Sequence, residues 1–412
     1  MPTKPVIRLL TVFSLLCLAA CTPNSSTPTK QFEHAQDGAF AASLSYSGQF
    51  AVVSSLYHGV ALWDLKQNGL KYIWQQTPEG DAPTFEDGES TAIMESANMV
   101  FATAISHNDS HAVLADKSAF SLWRIDNGEN VGYWRVKQSK IRYLDETAAG
   151  YWKNRATRGK SQVKDLDYEV LDPNACVAPN PNQNEACITI GRIRAIDVSK
   201  DGNHILLGKS NGVAVHISVN SGRRIEFNGH LSELTDENGE IIHVNNAINS
   251  VALSPNGRYA LTGSSDQNAY LWDTRTGQVI HKFRHGARVV QVALDPKARL
   301  AFSADSRGQA NIWDLKTGKA RSSLQYINRQ EVFTTARFSN NGQWLVTGAP
   351  NRELSLWDIN TGIFFQIRRV TPRKGSRPAS AVVYSAAFIN DDRQIVTESS
   401  AGLNEVWDIK RD

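Results

Sequence analysis

The sequence predicts an all-β propeller of seven four-stranded blades, and three observations predict it. A stretch of about 40 residues recurs, each copy closes on Trp-Asp or a variant of it, and each carries turn residues between short apolar runs. The clearest copy is 248 to 273. There Val251 and Leu253 alternate with small neighbours, Pro255-Asn256-Gly257 turns the chain, and Tyr259 to Leu261 returns. A second turn at Asp266-Gln267-Asn268 leads into Ala269 to Asp273. Glycine and asparagine belong at these turns because tight hairpins need positive φ.

Ala61-Leu-Trp-Asp64, Tyr270-Leu-Trp-Asp273, Asn311-Ile-Trp-Asp314, Ser355-Leu-Trp-Asp358 and Glu405-Val-Trp-Asp408 each end one copy. With ten tryptophans and 41 acids in 412 residues, about one Trp-acid pair is expected by chance. Ser121-Leu-Trp-Arg124 is a sixth copy, and Gly212 to Ile217 is a seventh in which His216 replaces Trp. Turns precede the copies at Ser47-Gly48, Asn108-Asp109, Asp201-Gly202, Asn256-Gly257, Pro296-Lys297, Asn341-Gly342 and Asp391-Asp392.

At these residues the chain resembles the WD-repeat β-propeller family over about residues 31 to 412. The resemblance implies a buried polar network of His, Asp, hydroxyl and Trp. It carries over to one blade, with His230, Asp266 six residues before Trp272, and Thr262 or Ser264 as the hydroxyl. Elsewhere the position six before Trp holds Tyr57, Lys117, Arg307, Asn351 or Ala401, so that network is not expected there.

From the start of the chain, residues 1 to 20 read as a targeting segment. Lys4 and Arg8 precede an apolar run, Leu9 to Ala20, that is too short for a stable membrane span. The run ends Leu18-Ala19-Ala20-Cys21, which resembles the lipobox of bacterial lipoproteins. That resemblance implies a lipid on Cys21 and, with Thr22 next, sorting to an outer membrane facing the periplasm. Residues 22 to 30 form a polar tether that reaches roughly 15 to 18 Å, which keeps the folded body near the membrane. Loss of Lys4 and Arg8 from the 44 bases leaves 42 against 41 acids, a balance that argues against general nucleic-acid binding.

The last copy stops after its third strand, so Gln31 to Gln36 is expected to close the ring as the missing outer strand. Outer strands are expected at Tyr72 to Trp74, Gly132 to Val136, Arg224 to Phe227 and Phe364 to Ile367. Long insertions follow them at 77 to 98, about 138 to 190, 231 to 246 and 371 to 380. In a propeller these connections share one face, and clustered insertions mark a binding face. Residues 77 to 98 hold Glu79, Asp81, Glu86, Asp87, Glu89 and Glu95 with no base, and 231 to 246 holds four acids. Arg135 to Lys164, which includes Arg155, Arg158 and Lys160, is basic and interleaved with Tyr143, Tyr151 and Trp152. Arg373, Lys374 and Arg377 make the last insertion basic. Such residues could grip phosphates, lipid headgroups or an acidic protein, or pair with the acidic neighbours. Trp123 to His216 spans about two blades' length, and Ile141 to Asp145 echoes Ile193 to Asp197, which leaves eight blades as the alternative.

Cys176 and Cys187 flank a loop with no hydrophobic means of ordering itself, and an oxidising compartment would join them. A disulfide there is worth about 3 kcal/mol in the chain-entropy model. No catalytic signature, cofactor motif or calcium-loop spacing is present in the sequence. The expectation is a non-enzymatic envelope scaffold without cofactor or metal, anchored by lipid and binding protein partners through its loops, with a monomer favoured. One rival is a factor like the propeller lipoproteins that assist outer-membrane protein assembly. Another is an enzyme or cofactor binder, which would require convergent acids and histidines at a channel mouth.

Overall fold

The computed structural model describes residues 27–55, 59–74, 99–117, 119–135, 191–235, 241–326 and 332–409. They form seven four-stranded antiparallel sheets and one two-stranded hairpin. The innermost strands of blades 1 to 7 are Ala39–Leu44, Ala102–Ile105, Ile193–Val198, Ile248–Leu253, Val289–Leu294, Thr335–Phe338 and Val383–Ile389. Each lies against the next, and the last lies against the first. The inner strands of blades 2 and 3 are direct neighbours in this ring. No eighth blade stands between them, which corrects the alternative count.

Blade 7 is closed from the other end of the chain. Lys30–Glu33 pairs antiparallel with Leu403–Asp408, in the register Lys30↔Val406 to Glu33↔Leu403. This is the closing strand expected at Gln31 to Gln36, beginning one residue earlier and ending at Glu33. Pairing there satisfies an edge that would otherwise present unpaired backbone groups.

The apolar residues form seven clusters, each shared by two neighbouring blades. A long chain is thus stabilised by many thin cores instead of one thick one. The blades approach closely enough to require glycine. A Cβ on Gly208 would lie 2.6 Å from Ile248 of the next blade, and one on Gly348 would lie 2.5 Å from Val383. Any larger residue there would wedge the blades apart.

Five inner strands carry a register shift at the same point, skipping Phe40, Arg194, Asn249, Val290 and Tyr384. Phe101 and Thr334 hold the corresponding place in blades 2 and 6, just before pairing begins. A bulge bends its strand and re-aims one side chain. These seven positions therefore ring one mouth of the central channel.

The acidic insertion at 231 to 246 is a hairpin and not a loop. Leu231–Thr235 pairs with Ile241–Asn245, from Leu231↔Asn245 to Thr235↔Ile241.

Candidate interaction face

Each blade is a meander, and the seven inner strands run the same way along the channel. Every connection from an outer strand to the next inner strand therefore lies on the face where the inner strands begin. Residues 75–98 leave after Trp74 and 136–190 after Arg135. The hairpin follows Phe227, and 370–382 follows Arg369. All four connect at this insertion face. The short turns between first and second strands lie on the opposite, turn face.

Of the candidate binding residues, Arg373, Lys374 and Arg377 fall within the described residues, exposed on the connection into blade 7. Arg373 ties that connection down. Its backbone N–H donates to Ser380 O at 3.0 Å, and its guanidinium donates to Asp37 O beside the closing strand. Asp81, Glu86, Asp87, Arg155, Arg158 and Lys160 lie outside the described residues, as do Cys21, Cys176 and Cys187.

The polar network of blade 4 is continuous. Trp272 Nε1 donates to Thr262 Oγ1 at 2.9 Å. The same hydroxyl lies 2.7 Å from His230 Nε2, and His230 Nδ1 lies 3.0 Å from Asp266 Oδ2. The indole donates to the hydroxyl, and in the tautomer whose Nε2 accepts the hydroxyl proton, Nδ1–H faces the carboxylate. Ser264 is used otherwise, donating to Asn246 O at 3.1 Å. A Thr262→Val variant strands two buried groups at once, His230 Nε2 and Trp272 Nε1. A loss of about 2–3 kcal/mol is expected in urea unfolding. A cost under about 0.5 kcal/mol would show that the network contributes little.

The network is not confined to blade 4, which corrects the sequence reading. In blade 5, Trp313 Nε1 donates to Ser303 Oγ at 2.8 Å, and His285 Nε2 lies 2.7 Å from it. Asp305 completes that set less tightly, 3.8 Å from His285 Nδ1. In blade 7, His34 of the closing segment lies 2.7 Å from Glu398 Oε1. The shared signal is a hydroxyl ten residues before Trp, at Thr262, Ser303, Thr347 and Thr397. Antiparallel pairing of the second and third strands brings that position beside the indole.

A different cluster occupies the turn face of the channel. Arg337 of blade 6 reaches past blade 7 and donates to Ser45 O at 2.9 Å and Leu44 O at 2.7 Å in blade 1. Its guanidinium lies 4.5 Å from the ring centroid of Tyr46, which stacks at 3.4 Å on His107 of blade 2. Asp197 of blade 3 accepts from Val198 N at 2.8 Å and from Leu253 N of blade 4 at 2.7 Å. Burial pushes Tyr46 up to about 12 and His107 down to about 3, and it raises Asp197 to about 6. An acid and a histidine do converge here, but Asp197 binds Leu253 N of the next blade and His107 stacks on Tyr46 of the preceding one. The arrangement stitches the inner edge of the ring. Among the described residues, no three His, Cys, Asp or Glu side chains stand where one metal ion could join them.

The family model described as WD domain, G-beta repeat matches residues 239–273 and 325–358, the third-strand ends of blades 4 and 6 included. The chain is also similar to the U3 snoRNP-associated protein-like YAOH of Oryza sativa subsp. japonica. The two are 32% identical over 228 residues, which cover 53% of this chain and 42% of the rice protein. The chain thus spans less than half the length of that relative. With two blades matched by the repeat model and seven sharing one strand order, the chain is a WD-repeat β-propeller.

Proposed function

We propose that the chain is a lipid-anchored interaction scaffold of a bacterial cell envelope, without catalytic activity of its own. The observation that carries this reading is the shared face. Four long connections join a rigid ring at one end, and loops on a rigid frame are where binding surfaces are built. WD-repeat propellers as a class bind other proteins, which supports a protein as the partner. The leader and lipobox at Leu18 to Cys21 support the anchor, with the outer membrane facing the periplasm as the site. The rice relative is named for a ribonucleoprotein. A nucleic-acid partner for this chain is disfavoured by its near balance of 44 bases and 41 acids.

One experiment with two variants tests the scaffold. Envelopes carrying the tagged wild type, Cys21→Ser, and a chain with 372–378 replaced by a Gly-Ser linker are crosslinked, fractionated and purified on the tag. The wild type should be found in membranes with a reproducible protein partner. Cys21→Ser should appear in the soluble fraction, and the linker variant should stay folded but recover less partner. A processed Cys21→Ser chain still in membranes would remove the anchor. Undiminished partner yield from the linker variant would move binding off this loop.

A further inference from the structure

We propose that blades 7, 1, 2 and 3 present an aromatic and cationic arc at the insertion-face mouth of the channel, and that it docks an acidic peptide segment bearing apolar side chains. The proposal rests on the reading above that a protein binds this face, and it names the chemistry of that protein.

The arc comes from the bulges. Tyr384, Phe40, Phe101 and Arg194 hold the corresponding inner-strand position in four consecutive blades. Packing does not require their exposure, since the cores lie between the blades. Yet Phe40 is 36% exposed and Phe101 43% exposed, while Tyr384 is half-buried between blade and mouth. Adjacent aromatic rings held at a mouth by fixed backbone are preorganised anchors, and aromatic and arginine side chains dominate the energetics of protein interfaces.

Charge complements the rings. Arg194 is exposed, and Arg192 and Lys117 stand on the same rim. Lys117 Nζ lies 5.3 Å from the centroid of Phe101. At the other end of the arc are Arg373, Lys374 and Arg377, all exposed. Against these, the exposed acids of this sector among the described residues are Glu33, Asp37 and Glu226, the last paired with Arg224. Among the described residues the sector is therefore locally positive, which raises the local concentration of an acidic ligand. A short carboxylate-rich segment needs only such a patch. A nucleic-acid strand needs cations along a longer track.

The test uses the full processed chain and a fluorescein-labelled peptide, Glu-Phe-Glu-Leu-Glu-Phe-Glu, with the same peptide carrying Lys for Glu and an oligothymidylate as further probes. Fluorescence anisotropy should show saturable binding of the acidic peptide that weakens as salt rises, and no binding of the Lys peptide. Phe101→Ser and Arg194→Glu should each weaken it by about tenfold or more. Circular-dichroism melts check that both variants fold. Should Phe101→Ser misfold, Arg194→Glu and Lys117→Glu decide alone, being exposed charges. The proposal is overturned by no saturable binding, by equal affinity in the variants, or by oligothymidylate binding more tightly than the peptide. It is equally overturned by a wild-type dimer in sedimentation that Phe101→Ser dissociates, since the arc would then hold a second copy. Loss of crosslinked partner from the linker variant alongside an inert arc would leave the scaffold reading standing and remove only this one.

Discussion

Deletion of residues 30–36 is expected to abolish the single cooperative unfolding transition of the propeller and to cause aggregation. The strand Lys30–Glu33 is the outer strand of blade 7, so its loss bares Leu403–Asp408 as an edge. The residues after it fasten blade 7 to blade 1. His34 N and Ala35 N donate to Gly402 O at 2.8 and 3.1 Å. The approach is so close that a Cβ on Gly402 would overlap Ala35 O. His34 also stacks on Trp63 of blade 1 at 4.4 Å while bonding Glu398 of blade 7. Both His34 and Glu398 have fully buried side chains. A graded version isolates that pair. His34→Ala leaves Glu398 with Asn404 Nδ2, at 2.9 Å, as its remaining side-chain donor. Removing one partner of a buried pair costs about 3–5 kcal/mol, a loss visible as a lower urea midpoint. A deletion variant that melts in one sharp step at the wild-type temperature would mean that the ring does not depend on this segment.

The blades were legible because each repeats a local rule, apolar alternation ended by a turn residue. The turns expected at Ser47-Gly48, Asp201-Gly202 and Asn256-Gly257 place Gly48, Gly202 and Gly257 at φ of 67°, 78° and 68°. What was not legible depends on distance in sequence. A search for an acid six residues before Trp finds Asp266 but misses Asp305, which lies eight before Trp313. It also misses Glu398, because its histidine comes from the far end of the chain. The hydroxyl ten residues back would have found all of these, since it follows from hairpin register alone. That rule also explains two departures. Val53 stands ten before Trp63, whose Nε1 has no partner. In blade 3 the register puts Ile217 at the tryptophan position and Leu207 ten before it, so neither indole nor hydroxyl is present there. Bulges left no mark in composition, so the arc of Phe40, Phe101 and Tyr384 emerged only from strand pairing. Arg337 was equally invisible, because its carbonyl partners lie two blades away.

The register of blade 3 corrects the sequence alignment: His204↔Ser218 matches Tyr259↔Asp273 of blade 4, so Ile217 and not His216 takes the tryptophan position. The buried His216 one residue earlier makes that blade sensitive to acid. His216 is 5% exposed, stacks on His204 at 5.1 Å and leaves Nε2 without a partner. Burial, and then the neighbouring His204 and Arg223, push it down to about 4 from an ordinary 6.5. Above pH 6.5 the side chain is neutral whether folded or not. As pH falls from 6.5 towards 4, the unfolded chain takes up a proton that the folded chain refuses, so stability is lost across that window. At about pH 4.5 the loss from this one residue is on the order of 2–3 kcal/mol. Other groups shift the total in both directions. His107, held down to about 3, acts with His216. Asp197, raised to about 6, favours the folded state as pH falls, and so does His34, whose pKa is raised. A comparison of wild type with His216→Phe cancels these. The variant should match the wild type within about 1 kcal/mol at neutral pH, since an apolar ring fills the same space. At about pH 4.5 it should be the more stable by about 2–3 kcal/mol in urea titrations. An equal difference at both pH values would show that His216 titrates normally in the fold and is not a source of acid sensitivity.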